Sequence, residues 1–179
     1  LEALLKLMDQ RCPQAILFVD ETYREATYGN APVAESCADL HPRIVTGASV
    51  SKALGAPGLR SGWLTVADAD LRARLVVAKM NTVISGSVLD EALAAALLRE
   101  RHTVLAVRRG LLTRGLEALT AWCAHEHRRI EWIRPDAGAL CCLRLHPAVV
   151  NDIAVESFWK LLPQHGLQLA CGTWFGESA

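Results

Sequence analysis

Several things are scarce in this sequence. It has no excess of charge: 19 Lys and Arg balance 19 Asp and Glu, so nothing drives the chain as a whole toward nucleic acid or an anionic membrane. It has no long apolar run. The longest uncharged apolar stretch, near Ala92–Leu98, falls far short of the roughly 20 residues that a membrane span needs. No basic segment followed by an apolar one opens the chain, which argues against a secretion signal. The first residue is Leu1 rather than Met, as expected of a processed chain or a piece of something longer. No C-x-x-C pair occurs, which argues against a structural zinc site. Repeats and low-complexity linkers are also missing.

What is present describes a packed protein. Its 179 residues are 51% hydrophobic and 21% charged, a balance that builds a core and excludes general disorder. At roughly one domain per 150 residues this is one domain or two small pieces. The six cysteines, Cys12, Cys37, Cys123, Cys141, Cys142 and Cys171, are scattered, and four sit in apolar segments. They read as reduced thiols of a cytoplasmic protein rather than a disulfide framework. His125 and His127 flank Glu126 near a predicted helix end, but positions i and i+2 do not share a helical face. No metal site is expected there.

The pattern along the chain predicts an α/β protein. Leu1–Asp9 has a helical stripe that stops before Cys12-Pro13. Ala15–Val19 is a continuous apolar run, as in a strand buried on both faces of a parallel sheet. A polar, Pro-containing connection follows, then Ile44–Ala48 and Gly62–Val66 read as two further strands, and helical connections between such strands point to α/β architecture. Asp68 is positioned to cap a helix reaching Met80, and Ser87 to cap a second one through Leu98. Thr103–His125 reads as a long helix, although Gly110 and Gly115 weaken it. Strands are expected at Ile130–Ile133, Leu140–Leu145 and Leu167–Cys171, with a helix over Asp152–Leu162 ended by Pro163. The predicted organisation is part of a mainly parallel sheet with flanking helices in residues 1–104. A connecting helix and a smaller α+β piece follow in residues 105–179.

Chemistry-bearing residues gather at the ends of the predicted strands. Asp20 stands where the first strand runs out; Ser49, Ser51 and Lys52 follow the second, and Gly55, Pro57, Gly58 and Arg60 come next. Open parallel sheets bind ligands beyond the carboxyl ends of their strands, so these side chains are expected to converge. A lone lysine is ordinarily a solvated cation and a lone aspartate after a strand ordinarily a helix cap. It is the spacing that makes the set informative.

Asp20-Glu21-Thr22-Tyr23, followed by the segment from Ser49 to Trp63 with Ser-x-x-Lys and Arg60 eight residues after Lys52, resembles the fold-type I aminotransferases of classes I and II, which depend on pyridoxal 5'-phosphate (PLP). The resemblance continues in texture to Pro135-x-x-Gly138 and the closing Gly172-Thr173-Trp174-Phe175-Gly176. Ser61 departs from it, since the family usually has an aliphatic residue there. The resemblance implies that Lys52 forms an imine with the cofactor aldehyde and later shuttles a proton. A lysine is a nucleophile only when deprotonated, so its surroundings must favour the neutral amine. Arg60, Ser49 and more weakly Ser51 would hold the phosphate, where a guanidinium can grip two oxygens at once. Asp20 would face the pyridine nitrogen and keep it protonated, which makes the ring an electron sink. Tyr23 would donate to the ring's phenolic oxygen. Asn81–Ser87 lies, in the family, near the subunit interface and the phosphate; as a plain loop with a cap at Ser87 it reads equally well.

The implied activity is transfer of an amino group between an amino acid and a 2-oxo acid, by a cytoplasmic homodimer. Nucleic acid, membrane and metal have no part in it. A PLP-dependent lyase or cyclising synthase would use the same Lys52 and Asp20. An effector-sensing domain of a PLP-binding transcription regulator would need a DNA-binding domain ahead of Leu1, and a non-catalytic remnant would bind no cofactor. Family members are much longer. The aromatic that stacks on the ring, the loop closing on the phosphate and the arginine that grips the substrate carboxylate all belong to segments outside this sequence.

Overall fold

A computed structural model describes residues 1–146 and 152–176. The chain divides into two compact units, Leu1–Leu112 and Thr113–Ala179.

The first unit opens with α1 (Glu2–Arg11), which ends where the Cys12 N–H donates to Met8 ahead of Pro13. A three-stranded sheet follows in the order β1 (Leu17–Asp20), β2 (Ile44–Ser49), β3 (Gly62–Val66). β1 and β2 are parallel, with Leu17 opposite Ile44 and Asp20 opposite Gly47. β3 is antiparallel, with Val45 opposite Val66 and Ser49 opposite Gly62. The sheet is therefore mixed, because the link from Val50 to Ser61 folds straight back, its ends joined by Val50 N–H to Ser61 O at 3.2 Å.

Two expectations about β1 need correction. Its link to β2 contains no helix. Instead, the Glu21 carboxylate accepts from the Cys37 N–H at 2.7 Å and the Ser36 hydroxyl at 3.0 Å, while Arg24 donates to Ala34 O at 2.8 Å. These bonds close the segment on itself, and Pro32 and Gly29 interrupt any helical run. Nor is β1 buried on both faces: Phe18 is 57% exposed, because β2 is the one described element that packs extensively on this edge strand. The Phe18 ring lies over Gly47, where an added Cβ would come within 2.6 Å of it.

Helices close the rest of the unit. α2 (Ala69–Thr82) begins at Asp68, whose carboxylate accepts the Leu71 N–H at 2.6 Å. This cap sets Leu71 against Val45 and Val66, with Leu75 beside them. α3 (Val88–Arg99) starts at Ser87, whose hydroxyl accepts the Asp90 N–H at 3.3 Å. The long α4 (Arg101–His125) follows, its glycines accommodated within the helix. Val50, Leu54 and Ala94 form a second core, covered by Leu97, Leu98, Val104 and Leu105. Burying a leucine or valine fully stabilises by about 1.5–3 kcal/mol, so this core fixes the loop after β2 firmly to α3 and the start of α4.

The second unit holds the end of α4, a hairpin of β4 (Ile130–Trp132) and β5 (Leu143–Leu145), and α5 (Asp152–Leu161). The hairpin pairs Ile130 with Leu145 and Trp132 with Leu143. Pro163 lies in the 3-10 turn that terminates α5. No strand forms over Leu167–Cys171; Leu167 and Leu169 stay about half exposed, and an apolar run with no partner strand has nothing to pair its backbone. Beyond α4, Glu126 joins His125 Nδ1 at 2.9 Å and Arg129 at 3.0 Å. These contacts, the His125 hydrogen bond first, hold the Glu126 carboxyl below its usual value. All six cysteines are free thiols, and burial pushes the Cys123 thiol up. Among the described residues no helix is long and apolar enough to cross a membrane, and no cluster suits a metal ion.

Candidate functional site

One end of the three-stranded sheet collects the residues singled out from the sequence. β1 and β2 run in the same direction, so Asp20 and Ser49 both finish there, and antiparallel β3 starts there at Gly62. The loop carrying Ser51, Lys52 and Arg60 joins β2 to β3 at this end. Gly62 permits the close approach of β3: a Cβ in its place would lie 2.9 Å from the Ala48 carbonyl oxygen and 3.2 Å from the Ser49 Cβ.

Asp20 is exposed and is shaped by its neighbours in sequence. Both the hydroxyl and the backbone N–H of Thr22 donate to Asp20 Oδ1, the latter at 2.9 Å. These two bonds, the hydroxyl first, hold the Asp20 carboxyl below the usual aspartate value. The carboxylate thus stays ionised because donors favour its charged form, not because it is buried. Thr22 was not singled out in the sequence; an aspartate two residues before a threonine is the local signal for such a turn.

Lys52 projects from a loop whose neighbouring residues are anchored. Val50 is fully buried and Leu54 nearly so, while Lys52 between them is exposed. Gly55, with φ +72°, donates its N–H to Lys52 O at 3.1 Å, and Ala56 donates to Val50 O at 3.0 Å. The Lys52 Nζ lies 6.0 Å from the centre of the Tyr23 ring. Arg108, from α4, reaches the same Lys52 carbonyl at 3.5 Å; it too was not singled out, and nothing in the sequence links two positions so far apart.

The remaining candidates are less tightly joined. The Ser51 N–H donates to Ser49 Oγ at 3.3 Å, which leaves the Ser49 O–H to act as a donor. Arg60 has a left-handed backbone, φ 48°, and its Nη1 donates to Pro57 O at 3.0 Å. Among the described residues that guanidinium makes no hydrogen bond to Ser49. In the segment Asn81–Ser87, Asn81 and Thr82 bond back to α2 carbonyls and Ser87 caps α3, so their polar groups serve the helix ends.

Asp20 and Tyr23 thus follow one another at the end of β1, Ser49, Ser51, Lys52 and Arg60 belong to the end of β2 and the β2–β3 loop, and the Lys52 amine over the Tyr23 ring joins the two segments. The sequence model of the aminotransferase class I and II family matches residues 1–179. The chain belongs to that family. It is 28% identical over 172 residues to capreomycidine synthase of Streptomyces vinaceus, covering 92% of this chain and 41% of that protein. Among solved structures it resembles a PLP-dependent cyclase, OrfR, with a TM-score of 0.79 and 28% identity over 98% of this chain and 46% of the other. It also resembles a PLP-dependent aminotransferase of Streptococcus suis, with a TM-score of 0.77 and 26% identity over 96% of this chain and 43% of the other. The chain therefore spans less than half the length of these relatives.

Proposed function

We propose that the protein bearing this chain is a PLP-dependent enzyme that moves the amino group of an amino acid to a 2-oxo acid, acting as a homodimer. The observation that carries this reading is the sheet register: Asp20 and Ser49 end on the same side, and the loop that follows Ser49 sets the Lys52 amine over the Tyr23 ring. The donor set fits the group. Asp20 is an ionised carboxylate suited to a protonated ring nitrogen, Ser49 retains a free O–H, and Arg60 is an exposed guanidinium at the same end.

When bound, the cofactor supplies an aldehyde that captures amines and a pyridinium ring that withdraws electrons from the adjacent carbon. Lys52 would hold it through Nζ, and the same amine would serve as the group that takes up and returns a proton at the substrate Cα. Asp20 would keep a proton on the ring nitrogen, and the Tyr23 O–H would serve as a donor to the ring's phenolic oxygen. Arg60 and Ser49 would hold the phosphate, with Ser51 a weaker contributor.

A second reading is a cyclising synthase with the same Lys52 and Asp20, supported by the resemblance at 28% identity to one synthase and one cyclase. One experiment tests both. Protein is incubated with PLP, reduced with borohydride, digested and weighed: fixation on the Lys52 peptide, absent in Lys52→Ala, is expected. Amino acids are then supplied with 2-oxo acid acceptors. A new 2-oxo acid matched by a new amino acid indicates transfer; a cyclic amino acid with no 2-oxo acid indicates the synthase. PLP fixed elsewhere than Lys52 overturns both readings.

A further inference from the structure

We propose that Arg108 is a positioning residue for Lys52, clamping the loop that presents the amine; this rests on the role of Lys52 given above. Arg108 lies on α4 one turn beyond Val104 and Leu105, and residues three or four apart share a helix face. Val104 and Leu105 pack against the core of Val50 and Leu54, so that face of α4 delivers Arg108 to the segment between them.

Two contacts define the clamp. The Arg108 Nη2 stands 3.5 Å from the Lys52 carbonyl oxygen. The guanidinium also lies against Gly55, where an added Cβ would come 3.1 Å from both Cζ and Nε and 3.2 Å from Nη1. Gly55 itself donates to the same Lys52 oxygen at 3.1 Å. The Lys52 carbonyl is thus approached by one donor from its own turn and a second from a distant helix. Gly55 leaves room for the second, and its φ of +72° is one that a side chain would strain.

The Nε of Arg108 is buried without a hydrogen-bond partner among the described residues. Burying part of a guanidinium is unfavourable unless its contacts compensate, which marks this as more than a side chain resting on the surface. The consequence for Lys52 is geometric. A lysine has a long flexible stem, and its amine arrives reproducibly only if the peptide carrying it is fixed. Anchoring the carbonyl of Lys52 fixes that peptide plane, and Arg108 acts through it.

The test uses cofactor-free protein bearing this chain, as wild type, Arg108→Met and Arg108→Lys. Two quantities are measured: the rate of covalent PLP capture, in which the lysine nitrogen bonds to the aldehyde carbon and water leaves, and the Kd of pyridoxine 5'-phosphate, which has no aldehyde. Small misplacements of reacting groups cost rate steeply, so Arg108→Met should slow capture about ten-fold or more while leaving pyridoxine 5'-phosphate affinity within about two-fold. Arg108→Lys, which keeps a donor, should recover part of the rate. Equal loss of both ligands, or capture at the wild-type rate in Arg108→Met, overturns the proposal. If Arg108→Met does not fold, Arg108→Leu, which likewise lacks a donor, is judged by the same two measurements in its place. A Lys52→Ala arm separates the two readings: borohydride fixation undiminished there overturns the role of Lys52 itself, whereas fixation lost with pyridoxine 5'-phosphate still bound upholds it.

Discussion

The Lys52 amine and the Tyr23 ring, one on the loop after β2 and the other in the turn after β1, stand 6.0 Å apart from nitrogen to ring centre. An ammonium at this distance over an aromatic face gains about 0.5–1 kcal/mol at exposed sites. The contact ties the two segments that carry the candidate chemistry.

Replacing Tyr23 separates its ring from its hydroxyl. Tyr23→Phe should leave thermal stability near wild type and weaken PLP retention, read by absorbance after dialysis. Tyr23→Leu should in addition lower stability by about 0.5–1 kcal/mol in a denaturant melt, since the face beneath Lys52 is gone. Equal PLP retention in wild type and Tyr23→Phe would remove the phenol from the cofactor site.

Acid titration reads the Thr22 contacts. They hold the folded Asp20 value below 3.8. A depressed folded value stabilises the protein above the unfolded value, and this contribution disappears as pH falls through the folded one. Thr22→Val removes the stronger donor, so the Asp20 titration midpoint, followed by carboxyl NMR shifts, should rise. The stability gap between variant and wild type should be present near neutral pH and shrink on acidification below 3.8. A gap that widens in acid would contradict this account.

Gly62→Ala places a methyl group 2.9 Å from a backbone oxygen, so the strands must separate. The expected loss is about 1–3 kcal/mol, as for other overpacked sites, together with weaker PLP binding because Ser49 is the register partner. Gly58 has nothing within 4 Å, and Gly58→Ala should change stability by no more than about 0.5 kcal/mol. Chemical denaturation of the pair checks both.

Asp68→Ala should cost about 1 kcal/mol through loss of the α2 cap. Ser87→Ala, with its longer 3.3 Å bond, should cost less. Neither should alter PLP affinity at saturating stability, which a dialysis assay on the folded variants would show.

Features written in neighbouring residues were legible in the sequence. β3 appears over Gly62–Val66 as expected, and Asp68 and Ser87 cap the two helices they precede, because a cap depends on a side chain and an N–H three residues away. That β1 and β2 end on the same side, at Asp20 and Ser49, was legible too, as apolar runs each followed by polar residues. What escaped depends on distant partners. The helix-free path after Asp20 is set by Glu21 reaching Ser36 and Cys37. No strand pairs with Leu167–Cys171 among the described residues, and an apolar pattern cannot announce whether a partner is there. Arg108 meets Lys52 only because α3 and α4 turn back over the loop.

Phe18 and Gly47 share a single parcel of space, and that has a bearing on how this sheet can vary. The aromatic ring occupies the room that a side chain at position 47 would take, directly beside the register partner of Asp20. An alanine at 47 would be admitted only by a smaller or differently turned residue at 18, so the two positions should change in concert. A library randomising both together should return compensated pairs, large with small in either order, that still hold the acid in place.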